Sequence, residues 1–160
     1  MTDNFIKLEK DNVLRLGIKD SEGNDTGNYL EFDLEDTSLL LRYNELLEKD
    51  KKNRSWLNNQ LIIISKKEDH KGKQALSSNE VEILKAYNEF YKKEKDIIDM
   101  FLGEGGVDKL LNGRSLEWTT FNEINKIIKE QIAPKLDITM DKITDKIKAL
   151  YKDSMEEETL

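Results

Sequence analysis

The sequence predicts a mainly α-helical α+β protein: an N-terminal β-hairpin packed on a bundle of about four helices, two of them long and antiparallel. Three observations carry that prediction. Alternation of apolar and polar residues with period two is confined to the stretch 12–34. Beyond it, Leu, Ile, Tyr and Phe recur at spacings of three and four, the period of a helix with one buried face. Apart from Gly17, the glycines fall between the predicted strands and helices, where turns are needed.

Leu14, Leu16 and Ile18 alternate with Arg15, Gly17 and Lys19, and Leu30, Phe32 and Leu34 alternate with Glu31 and Asp33. The intervening DSEGNDTG is rich in residues that tolerate left-handed backbone, so a hairpin with a long loop is expected. Because an isolated hairpin is marginally stable, helices should cover its apolar face.

Asp36 or Thr37 offers an oxygen acceptor for a helix start. Leu40, Tyr43 and Leu47, then Leu57, Leu61 and Ile64, share one heptad phase across a polar gap at 48–55. One helix over about 37–65 with a solvated middle is predicted, a break near Asn53 being the alternative. The polar KKEDHKGKQAL reads as a loop. Ser77 and Glu80 have capping-box spacing. A second long helix follows, carrying Ile83 or Leu84, Tyr87, Tyr91, Ile98 and Phe101 or Leu102, with Gly103 ending it in a left-handed conformation.

A short helical turn is predicted at 107–111 and a tight turn at Asn112 and Gly113. A third full helix over 115–133 should bury Phe121, Ile124 and Ile128 and end at Pro134. Thr139 then caps a last helix with Met140, Ile143, Ile147 and Leu150 on one face. Residues 1–153 read as a single domain and 154–160 as a loose acidic tail.

A chain of 160 residues is long enough for one core. With 26 Lys and Arg against 33 Asp and Glu the net charge is −7, so a polyanion approaches against the overall field and nucleic acid is not an expected partner. The lack of Cys excludes disulfides, thiolate nucleophiles and cysteine-ligated metals, and suits a reducing compartment. The opening MTDNFIKLEKD has no signal-peptide pattern, and the apolar run 61–64 is too short for a bilayer. A cytoplasmic location with no membrane partner is expected.

The chemistry-bearing candidates are few. Asp20, Glu22, Asn24, Thr26, Asn28 and Glu31 fall on the ligand positions of a calcium loop, but Asp25 replaces the required glycine and strand-like flanks replace helices, so an acidic turn explains them better. GEGGVDK resembles a phosphate cradle yet lacks the P-loop ending and follows a helix, which favours a helix end and reversal. The single histidine, His70, lies in a lysine-rich loop, away from any predicted nucleophile. Carboxylate pairs such as Asp96 with Asp99 or Glu156 with Glu157 arise readily on so acidic a surface. Lys66, Lys67, Lys71 and Lys73 are interleaved with Glu68 and Asp69 and lack aromatic residues for base stacking. Trp56 and Trp118 sit among charged residues, either at the edge of the core or as anchors for a partner. No catalytic centre, cofactor or metal is expected.

From Phe32 onward, FDLED leads into helices, and the second long helix closes on IIDMFLGEGGVDKLLNG. Ile98, Asp99, Phe101, Leu102, Gly103, Glu104, Gly105, Gly106, Lys109, Leu110 and Leu111 match a motif of the form I-D-x-[FL]-[FL]-G-E-G-[GT] followed by Lys and two apolar residues. In this the chain resembles the small tail assembly chaperones of long-tailed phages and prophages of low-GC Gram-positive bacteria. The resemblance spans about 14–136; the long insertion at about 53–77 and the helix after Pro134 depart from it. It implies a non-catalytic protein of the bacterial host cytoplasm that binds the tape measure protein and tail tube subunits and is not in the mature virion. Self-association is left open. Met140, Leu150, Trp56 and Trp118 are the expected partner-binding residues. The competing expectation is a phage or prophage inhibitor of a host enzyme or defence protein.

Overall fold

The structure, a computed structural model, describes residues 3–9 and 11–158, with side chains as far as Asp153. It is mainly helical with one N-terminal hairpin. Strand β1 (Val13–Lys19) pairs antiparallel with β2 (Asp25–Asp33), placing Leu14 opposite Phe32 and Leu16 opposite Leu30. The alternation sorts the two faces: Ile18, Leu30 and Phe32 are buried, while Arg15, Lys19, Glu31 and Asp33 are exposed. On the outer face the Arg15 guanidinium lies 3.7 Å from the centre of the Tyr29 ring. The register shifts between Gly17 and Lys19, where the Thr26 hydroxyl donates to the Ile18 carbonyl at 2.7 Å.

Helix α1 (Thr37–Ser65) is continuous, with no break at Asn53, and Asp36 Oδ1 accepts the Ser38 N–H at its start. Helix α2 (Ser78–Leu102) begins with the full capping box of Ser77 and Glu80. Then come α3 (Gly106–Leu111), α4 (Trp118–Ile127), a π-helical turn (Ile128–Ile132) and α5 (Ala133–Glu158). The chain divides into two compact units, a subdivision that the sequence, with no linker, does not announce. Met1–Leu40 with Lys126–Leu160 form the first, which holds the hairpin and α5; Leu41–Asn125 form the second.

In the second unit α1 and α2 run antiparallel. Moving down α1 is moving up α2: Tyr43 meets Phe101, Lys49 meets Met100, Asn53 meets Phe90, and Lys67 pairs with Glu82. The inward positions of α1 match the predicted ones in part: Ile64 is buried and Tyr43 meets Phe101, whereas Leu46 and Asn53 are buried and Leu47 is exposed, so around Leu46 the seam lies one residue before the predicted one. The polar gap at 48–55 is not wholly solvated either, because Asn53 occupies a seam position. From α2 the buried residues are Ala86, Phe90, Glu94, Ile98, Phe101 and Leu102. Phe90, Tyr91 and Phe121 stack edge to face, with ring centres 5.4–5.8 Å apart.

Pro134 does not end a helix. Proline lacks an N–H and its ring collides with the carbonyl four residues back. Here the Ala133 N–H donates to the Ile128 carbonyl, five residues back, so the helix is widened where the ring must fit. Phe121, Ile124 and Ile128 are buried as predicted, and burial continues through Ile132, Ala133 and Leu136. Thr139 is likewise not a cap: it is buried within α5 and its hydroxyl donates to the Lys135 carbonyl at 3.2 Å. Helix α5 also runs on over 154–158, where the sequence predicts a loose tail; Thr159 and Leu160 lie outside the described residues.

Candidate functional site

The motif at 98–111 folds into the corner between α2 and α3. Ile98, Phe101, Leu102 and Leu111 supply apolar contacts and are buried, as is Val107, which the motif leaves unspecified. Gly103 ends α2 at φ +103 and ψ 160, a positive-φ extended conformation and not the left-handed helical one expected; Gly105, at φ +73 and ψ 7, holds that conformation. Gly106 is required for a different reason. A Cβ there would lie 2.7 Å from the Leu102 Cβ, so only glycine lets the two helices meet. Asp99 Oδ1 accepts the Val107 N–H at 2.8 Å and caps α3, while Lys95 pairs with Asp108 at 3.0 Å across the corner. Burial raises the Asp99 carboxyl above its ordinary value, and the Val107 N–H opposes that rise. Glu104 and Lys109 are exposed and Leu110 is half-buried. The phosphate-cradle reading of these glycines fails on the same geometry, since a carboxylate of the chain itself occupies the free amide of a six-residue helix.

The most perturbed group is Glu94, which is not among the candidates drawn from the sequence. It is 1% exposed at the α1–α2 seam, where Asn53 Nδ2 donates to Glu94 Oε1 at 2.9 Å and to the Phe90 carbonyl at 3.1 Å. Asn53 Oδ1 is buried without a hydrogen-bond partner. Burial pushes the Glu94 carboxyl up to about 8; the Asn53 hydrogen bond opposes this, and the charge of nearby Asp50 and a hydrogen bond with it reinforce it. Asp50 is in turn held by Arg54 Nε at 2.8 and 3.0 Å. Glu94 is thus a neutral acid at neutral pH. Asn53 lies one position off the heptad phase expected for α1, so the pair emerges only where the two helices meet.

The partner-binding candidates separate. Trp56 is half-buried with the Lys93 ammonium 3.7 Å from its ring centre, and it lines an open groove between α1 and α2 with Lys49, Lys52, Asp96 and Ile97. Trp118 begins α4 and is 64% exposed. In the first unit, Met140, Ile147, Leu150 and Tyr151 are exposed along one face of α5, with Leu150 at 67%. Phe5, Ile6 and Leu8 are also exposed.

The other candidates are not brought together. Asp20 Oδ1 accepts the Glu22 and Asn24 N–H groups at 3.0 and 2.8 Å, so it closes the hairpin turn, and Asn28 and Glu31 lie along β2. Among the described residues no three His, Cys, Asp or Glu side chains converge as a metal site. His70 meets Ser78 through its backbone, at 2.8 and 3.0 Å. Asp96 faces the groove while Asp99 caps α3; the side chains of Glu156 and Glu157 lie outside those described. Among the described residues no helix is long and apolar enough to cross a membrane. No family model, curated protein or solved structure matches the chain.

Proposed function

We propose that the chain is a non-catalytic, protein-binding tail assembly chaperone, which covers apolar helical stripes of a tape measure protein and engages tail tube subunits in the host cytoplasm. The observation that carries this reading is the outward apolar face of α5, where Met140, Ile147, Leu150 and Tyr151 lie open along about three turns of helix. An exposed stripe of this kind fits the helix-against-helix mode of recognition, in which anchors at three- and four-residue spacing enter a partner's apolar surface. The motif at 98–111 supports the family resemblance from a different part of the chain. Its residues have structural work in the α2–α3 corner, which leaves the α5 face free for a client.

The test is co-expression with the tape measure protein encoded in the same genome. The expected result is increased client solubility and co-purification that persists in moderate salt, since apolar contact is little affected by screening. Met140→Ser with Leu150→Ser should reduce co-purification while leaving the thermal midpoint nearly unchanged, because both side chains already face solvent. Capture of a host enzyme, with no binding of any tail protein, would replace this reading with that of an inhibitor.

A further inference from the structure

We propose that the free part of α5 pairs antiparallel with α5 of a second copy of the chain, closing Met140, Ile143, Ile147 and Leu150 of each into one seam. The pairing uses the face on which the tail-assembly reading places the client but is independent of that reading, since the purified chain alone tests it.

Burial along α5 stops at Thr139. From Met140 to Asp153 every residue is exposed except Ile143, which is half-buried. A helix of about 12–15 residues standing alone in water is marginal, and helices of this length are held by packing an apolar face. Met140, Ile143, Ile147 and Leu150 follow one another at steps of three, four and three, the spacing of the seam in a two-stranded coiled coil. That spacing calls for another helix alongside.

Charge selects a copy of the same helix. Asp137 and Asp141 on one flank of the seam are followed along that flank by Lys148 and Lys152, and none of the four makes an ion pair among the described residues. Like charges four residues apart weaken an isolated helix. Reversed against a second copy, with Met140 opposite Leu150 and Ile143 opposite Ile147, this flank meets itself end for end. Asp141 then faces Lys148 and Asp137 faces Lys152, each twice by symmetry, in the register that also closes four apolar layers. On the other flank Lys146 faces its own counterpart, one like-charge contact against those four. Residues 137–153 carry four Asp and four Lys, so the helices meet without net repulsion on a chain of charge −7. A parallel pair would instead bring together the packing that buries Leu136 and Thr139 in each copy. Met140, Ile147, Leu150 and Tyr151 are 41% to 68% exposed. Closing them in both copies removes about 1,000 Å² from water, the low end for a specific interface. The dimer is accordingly weak, with a Kd of about 10–100 µM, and a client helix can replace one copy.

The experiment is sedimentation of the full chain over a concentration series, with Asp141→Lys and Lys148→Asp as exposed charge reversals. The parent should pass from monomer to dimer. Each reversal alone sets like charges opposite one another and should weaken the dimer about fivefold or more, and an equal mixture of the two should recover it, because Asp141→Lys then faces Lys148→Asp. Orientation is read by nitroxide labels at Thr144→Cys or Asp153→Cys, each unique because the chain has no cysteine. With a rise of about 1.5 Å per residue, the antiparallel pair places the two copies' labels nearly level at 144 and about 25 Å apart along the axis at 153. The proposal is overturned if the parent stays monomeric up to about 1 mM, if the reversals dimerise like the parent, if their mixture recovers nothing, or if the label separations at 144 and 153 are equal, as a parallel pair requires.

Discussion

Glu94→Gln isolates the energetic consequence of a carboxyl group buried in the α1–α2 seam. Glutamine keeps the volume and an oxygen for the Asn53 amide but has no proton to lose. In the native chain Glu94 holds its proton up to a pH of about 8, whereas an unfolded glutamate loses it near 4.5. Between those values the folded state binds more protons than the unfolded one, so stability falls as pH rises. The contribution is complete below the unfolded value and gone above the folded one. At 1.36 kcal/mol per unit, the loss between pH 5 and pH 8 is about 4 kcal/mol, a large part of the ~5–15 kcal/mol available to a domain. Urea unfolding of wild type and Glu94→Gln at unit steps from pH 5 to 9, followed by circular dichroism, gives the difference for the seam, because the titrating groups away from Glu94 and its neighbour Asp50 are common to both. The two should be similar at pH 5, and the variant more stable by several kcal/mol at pH 9. Parallel pH profiles would show that Glu94 is ionised and accommodated in the fold, and would refute the reasoning.

Gly103→Ala should cost about 1 kcal/mol in chemical denaturation, since a Cβ is disfavoured at its φ of +103. Gly106→Ala should cost about 1–3 kcal/mol through the clash with the Leu102 Cβ. Asp99→Ala removes the cap of α3 and should cost about 1 kcal/mol, while Asp99→Asn, which keeps an oxygen for the Val107 N–H, should cost less. An unchanged unfolding midpoint in Gly106→Ala would contradict the close approach of α2 and α3.

The elements most legible in the sequence were those marked by local chemistry. The hairpin followed from alternation, the start of α2 from a capping box that uses only Ser77 and Glu80, and the ends of α2 and α3 from glycines and Asn112, whose φ of +48 is the single positive value at a described non-glycine residue. Pro134 misled because its steric rule is local but its remedy is not confined to the proline: the hydrogen-bond step from Ile128 to Ala133 widens before the ring arrives. Thr139 misled in a related way, since a hydroxyl that satisfies an amide at a helix start serves equally well as a donor to the carbonyl four residues back inside one. On α1 the expected phase holds at Tyr43 and Ile64 and misses Leu46, because Leu46 and Leu47 are adjacent and only the partner helix decides which of them faces inward.

Asn53 and Glu94 lie 41 residues apart, and each by itself reads as a solvated residue on a polar stretch. Only their meeting makes them informative. A count of apolar letters treats 48–55 as a gap in the seam, although the hydrogen bond between these two side chains fills a position that Leu would otherwise occupy. A pair of this kind is a poor source of stability, because the desolvation of Glu94 offsets what the hydrogen bond returns, leaving an acid that keeps its proton. It is a better source of alignment. Sliding α1 by one heptad would bring Leu46 into the place of Asn53 and leave the Glu94 carboxyl with no donor, a cost that an all-leucine seam would not impose. The same alignment sets Trp56, one turn beyond Asn53, beside Lys93, one residue before Glu94. The buried acid therefore favours the register that sets Trp56 beside Lys93.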